Sequence, residues 1–103
     1  MGKILIGRTS EVAPGRIRKF TLPNSVEIAV ANVNGKYYAV QNHCGHQGGP
    51  LGEGGMEGNV VTCPWHGARW DVTNGKLVEF PLDLEPIRSY AVIVEGDSLF
   101  IDL

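Results

Sequence analysis

Two short segments of the chain each pair a thiol with an imidazole. Cys44-Gly45-His46 is followed, after sixteen residues, by Cys63-Pro64-Trp65-His66. Thiolate and imidazole together are donors suited to zinc or to an iron–sulfur cluster. Gly45 lets the backbone turn tightly enough to direct both side chains of the first segment at one centre. The Cys-x-x-His spacing does the same in the second, in the manner of a Cys-x-x-Cys knuckle. The two cysteines could instead close a disulfide. However, the N-terminus does not read as an export leader: only Ile4-Leu5-Ile6 is apolar before Gly7 and Arg8, against the about 7–15 residues of a secretory h-region. In a chain expected to be cytoplasmic, Cys beside His in Gly- and Pro-containing segments favours a metal.

The arrangement of donors narrows the metal. Zinc sites usually pair Cys with Cys and His with His, whereas each segment here mixes the two. A Rieske centre has two irons, one held by two Cys and the other by two His. Two facing loops, each giving one donor of each kind, satisfy that requirement. On the donors alone, a structural zinc module stays open, as does a metal-free partner-binding domain with an inert Cys and core His.

Residues 42–51, Asn-His-Cys-Gly-His-Gln-Gly-Gly-Pro-Leu, together with Cys63-Pro64-Trp65-His66-Gly67 and Trp70-Asp71, resemble Rieske-type ferredoxins and the Rieske domains of ring-hydroxylating oxygenases. The resemblance implies one [2Fe–2S] cluster per chain, with Cys44 and Cys63 on the inner iron and His46 and His66 on the outer iron near the surface. It also implies a soluble one-electron carrier, not itself an enzyme, that passes electrons from a flavin reductase to a terminal oxygenase. The alternative within the redox class is a small Rieske subunit of a larger oxidoreductase, similar to the nitrite reductase small subunit. His43 is expected to flank the site without binding metal, Trp65 to shield the cluster and Trp70 to pack beneath it. Glycines 45, 48, 49 and 67 would let backbone N–H groups approach sulfur, and Pro50 and Pro64 would stiffen the loops. Histidine counting supports the carrier reading. A facial-triad oxygenase site needs two His and a carboxylate, and only His43 remains once His46 and His66 are used.

The elements that must position these loops are strands. Segments at 4–6, 17–22, 27–33, 36–40, 60–62, 69–72, 76–78, 87–95 and 98–103 are short and mostly rich in β-branched or aromatic residues. Asn34-Gly35 predicts a type I′ hairpin turn, and Asn74-Gly75 and Gly96-Asp97 predict further turns. Residues 80–86 hold two prolines and read as a loop. The only short helical turn expected is at 9–12, with Ser10 as its cap. The fold class is therefore all-β: a single Rieske-type small β-sandwich or barrel over residues 1–103, with cluster-binding loops at about 42–51 and 62–71.

Composition sets the remaining limits. The chain has 103 residues, a formal net charge of −2 and fourteen glycines. Such a charge, with only Arg16, Arg18 and Lys19 clustered, excludes a nucleic-acid binder. No apolar run approaches the about 20 residues that span a membrane. The free protein is expected to be a monomer whose redox partners dock at the loop tips. Gln47, Leu51 and Pro64 would form the apolar centre of that surface, with Glu53 and Glu57 as its acidic rim.

Potential follows from charge. Neutral imidazoles in place of thiolates make a cluster easier to reduce, and His-ligated centres span about −150 to +300 mV. High-potential members place a loop disulfide and Ser and Tyr hydroxyls around the cluster. The matching positions here are Gly49 and Trp65 for the disulfide, and Ala68 and Trp70 for the hydroxyls. A redox titration followed by visible absorbance is expected to show one reversible one-electron transition near the low end, about −150 mV. A transition in the upper half of the range would refute the missing-donor argument.

Overall fold

The computed structural model describes residues 3–44, 49–65, 67–81 and 83–102. In chain order, the strands are β1 (Lys3–Arg8), β2 (Ile17–Thr21), β3 (Glu27–Val33), β4 (Lys36–Gln41), β5 (Gly55–Glu57), β6 (Val60–Thr62), β7 (Arg69–Asp71), β8 (Leu77–Glu79), β9 (Ser89–Glu95) and β10 (Ser98–Asp102). They form a six-stranded antiparallel sheet, β1-β10-β9-β4-β3-β2, and a four-stranded one, β5-β6-β7-β8. The larger sheet curls until its two edge strands touch. A Cβ on Gly7 of β1 would lie 2.7 Å from the Phe20 ring of β2, so the smallest residue stands where the sheet closes on itself.

β3 explains how the two sheets meet. Successive strand residues point to opposite faces, and here both faces are buried. Ile28 and Val30 join Val12, Phe20, Leu22, Ala39, Leu99 and Ile101 inside the curl. Ala29 and Ala31 point the other way, into a second core with Val40, Cys44, Leu51, Val61, Cys63 and Trp70. Alanines on that face let the small sheet approach closely. The small sheet answers with one cross-strand row, Met56–Val61–Trp70–Leu77, all of it packed in this second core.

The turns follow their residues. Asn34 and Gly35 both have positive φ, 54° and 90°, as a type I′ turn requires. Asn32 is buried at its base, accepting the Gly35 N–H (2.8 Å) and donating to the Val12 carbonyl (2.9 Å). The expected helical turn is a 3-10 turn at Thr9–Glu11, but Ser10 does not cap it. β1 runs on to Arg8, whose N–H donates to the Glu11 carboxylate at 2.8 Å. Two elements were not expected: the strand β5 and a 3-10 turn at Leu51–Glu53. Both are three residues long and lie among glycines, too short to show a period. The segment 87–95 pairs as a strand only from Ser89, because the Ile87 N–H is taken by the Gly75 carbonyl (2.8 Å). Among the described residues no helix is long and apolar enough to cross a membrane.

Gly75 locks the small sheet to the chain that leaves it. Its φ is +76°, and a Cβ there would collide with the Ile87 carbonyl oxygen. Gly15 has a similar φ, +78°, in open space. Thermal denaturation of the two alanine variants should separate these cases. Gly15→Ala is expected to cost about 1 kcal/mol, the left-handed backbone penalty alone. Gly75→Ala should cost at least about 2 kcal/mol more, because the backbone must also shift. Equal losses would contradict the packing role.

Candidate metal centre

The first loop leaves β4 and is narrowed by successive rungs. The Asn42 carbonyl accepts the Leu51 N–H (2.7 Å), His43 and Pro50 form an isolated β-bridge, and the Cys44 N–H donates to the Gly49 carbonyl (2.8 Å). The side chain of Asn42 reinforces the stem. It is buried, and its Oδ1 accepts the Gly52 N–H at 2.8 Å. Gln41 ties the stem to the β9 side, accepting the Arg88 N–H (2.8 Å) and donating to the His43 carbonyl (2.7 Å). His43 is exposed, with Nε2 3.6 Å from the Glu27 carboxylate at the start of β3. That pairing agrees with a flanking role.

The second loop is a tight turn between β6 and β7. The Cys63 N–H donates to the Ala68 carbonyl (2.8 Å), and the Gly67 N–H donates back to the Cys63 carbonyl (3.1 Å). Gly67 has φ +78°, a conformation glycine adopts at little cost. Gly45, His46, Gln47, Gly48 and His66 lie outside the described residues.

Gly49 is where the loops meet. Its carbonyl receives the Cys44 N–H, while a Cβ on its other side would stand 2.6 Å from Cys63 Sγ and 3.1 Å from Trp65 Cγ. Cys44 and Cys63 are both buried, in the same apolar core. A thiolate in such a place is costly unless a cation neutralises it. In the same core, the Trp70 Nε1–H is fully buried and has no acceptor. Two convergent buried sulfurs, a close approach only glycine permits and an orphaned donor all fit a bound metal group. Among the described residues no three His, Cys, Asp or Glu stand together as a metal site, so further ligands would come from residues beyond these two thiols.

One expectation changes. Leu51 is 0% exposed in the second core, so it cannot belong to a docking surface; the 3-10 turn rotates it inward. Trp65 is 57% exposed, with its base packed on Gly49 beside Cys63. Trp70 lies beneath the loops as expected, and Ala68 is buried with no side-chain donor. The stem roles of Gln41 and Asn42 were not read from the sequence. An amide on either side of a strand end was the available signal.

Residues 2–91 match the family model described as the Rieske [2Fe-2S] domain. The ferredoxin component of the p-cumate 2,3-dioxygenase system of Pseudomonas putida is 36% identical over 96 residues, 92% of this chain and 80% of that protein. The Sphingomonas yanoikuyae B1 ferredoxin superposes with a TM-score of 0.91 at 28% identity, covering 99% of each chain. A chain in the complex of reduced oxygenase and oxidized ferredoxin in carbazole 1,9a-dioxygenase superposes at 0.88 and 27% identity, covering 96% of this chain and 91% of that one.

The loop contact at Gly49 is directly testable. Gly49→Ala places a methyl group against Cys63 Sγ and Trp65, so the loops must part. Metal bound per chain is expected to fall to less than half, with the far-ultraviolet circular dichroism of the strands retained. Full metal occupancy in that variant would show that the approach is not needed.

Proposed function

This chain belongs to the Rieske [2Fe–2S] domain family, and on that premise we propose that Cys44, His46, Cys63 and His66 hold its cluster and that it carries electrons to a terminal oxygenase. The cluster takes up and releases one electron at a time. The chain's own residues do the rest. Cys44 and Cys63 supply the two anionic donors to one iron, and His46 and His66 the neutral donors to the other. The observation that carries this reading is the meeting of the two loops at Gly49, which brings the buried cysteines of both segments into one core.

The named relatives are ferredoxin components of dioxygenase systems, and one structural neighbour is seen in complex with an oxygenase. These support a role as electron donor to an oxygenase; a flavin reductase as the upstream donor and a place in the cytoplasm are the rest of the proposal. Catalysis on substrate belongs to the partner. The rungs of the first loop and the Cys63–Gly67 turn restrain the ligand loops, limiting how far they must rearrange when charge changes.

The docking surface is revised by the structure. Pro64 and Trp65 are exposed beside the second ligand loop, with Glu53 and Glu57 exposed nearby in sequence to the first. Trp is a frequent hot-spot residue, and acidic side chains speed encounter with a basic partner. Electron-transfer interfaces are small, below about 1,200 Å², so one ring counts for much.

Stopped-flow mixing tests the assignment. The reduced protein is expected to reoxidise in one phase with an oxidised Rieske-type terminal oxygenase. Trp65→Ala should slow that reaction about tenfold, the loss of about 1.4 kcal/mol of interaction, with the visible spectrum unchanged. Charge reversal of Glu53 and Glu57 should slow reduction by a flavin reductase at low salt only. Transfer that is indifferent to all three residues would place docking elsewhere.

A further inference from the structure

Trp70 sits at the centre of the row that the small sheet turns toward the cysteines, opposite Val61 on β6 and Leu77 on β8. Its side chain is fully buried in the core that holds Cys44, Cys63 and Ala68. It carries the only buried side-chain nitrogen or oxygen among the described residues that has no hydrogen-bond partner. The other buried polar side chains among the described residues, Asn32 and Asn42, are satisfied, with two hydrogen bonds each. An unmade bond of this kind destabilises the fold. A phenyl ring would fill much of the same space without that cost. The indole N–H can only donate, so its missing partner must be an acceptor; apart from Tyr38, whose hydroxyl does not accept from it, the side chains of this core are apolar or sulfur-bearing.

We infer that the Trp70 Nε1–H donates a hydrogen bond to a sulfur of the bound cluster and so makes the cluster easier to reduce. The inference rests on the cluster assignment above. Such a bond gains strength as negative charge builds on the acceptor, so it favours the reduced state. It also revises the expectation drawn from the sequence. Ala68 does lack a donor, but at position 70 the donor is replaced rather than lost.

The test uses the holoprotein with indole-¹⁵N tryptophan and Trp65→Phe, which leaves Trp70 as the one labelled ring. Pulsed electron paramagnetic resonance of the reduced protein is expected to show a ¹⁵N coupling, together with an exchangeable proton that Trp70→Phe removes. Trp70→Phe should also lower the equilibrium constant for reduction about threefold to tenfold, where tenfold is about 59 mV for one electron. Unlabelled-like spectra in a protein with a normal reduced cluster signal, or an unchanged potential in Trp70→Phe, would overturn the inference and leave the cluster assignment standing. A preparation with no such cluster signal would overturn both. The label is read in a chain that keeps Trp70, so the result does not depend on whether Trp70→Phe folds.

Discussion

Two thiols from distant parts of the chain must be held side by side in an apolar interior. A buried thiolate is unstable alone, so the loops that carry Cys44 and Cys63 must arrive at one point with little freedom left. The chain meets this demand mainly with backbone, reinforced by the Gln41 and Asn42 side-chain amides. Rungs at residues 42 and 51, 43 and 50, and 44 and 49 narrow the first loop, and the Cys63–Ala68 and Gly67–Cys63 bonds close the second. Gly49 then lets the two loops touch. The bound group is thereby expected to meet a site already formed, with the ordering of the loops contributed by folding.

That arrangement depends in turn on β3. A strand buried on both faces is usual in the middle of a layered protein, and here each face serves a different purpose. Ile28 and Val30 are large and fill the curl of the six-stranded sheet, which supplies much of the hydrophobic stabilisation. Ala29 and Ala31 are small and admit the four-stranded sheet. Exchanging the sizes would weaken the curl and push the small sheet outward, taking the second cysteine loop with it. The outer face of that sheet is held differently. Arg69 bonds to Glu57 (2.9 Å) and Glu79 (3.1 Å), but these are exposed carboxylates, and such pairs contribute little.

Much of this was legible in the sequence where chemistry is local. The Asn34-Gly35 turn, the strands around it and the two Cys/His segments announce themselves through residue types that few other conformations use. The cofactor and the carrier role followed from the same segments by resemblance. What could not be read was whatever depends on distant neighbours. Leu51 follows a proline in a glycine-rich loop and reads as exposed, yet a single 3-10 turn carries it into the core. β5 has only Met56 to mark an inner face, and its identity comes from pairing with Val61. Gly75 reads as a turn glycine, and only the structure shows the Ile87 carbonyl against it. In each case a tertiary contact decided between conformations that the local residues left equally open.

The same logic bears on why tryptophan stands at position 70 instead of phenylalanine. Packing alone gives no reason to prefer the indole: the core around it is apolar, and an unpaired N–H there is a liability. Trp65, by contrast, is more than half exposed, where water can satisfy its nitrogen. One tryptophan of the chain thus leaves its ring open to solvent, and the other brings a polar atom into the core that holds the cysteines. A residue that is costly to the apoprotein and useful to the holoprotein ties folding to cofactor binding. The stability lost to an unmet hydrogen bond returns only when the acceptor is in place.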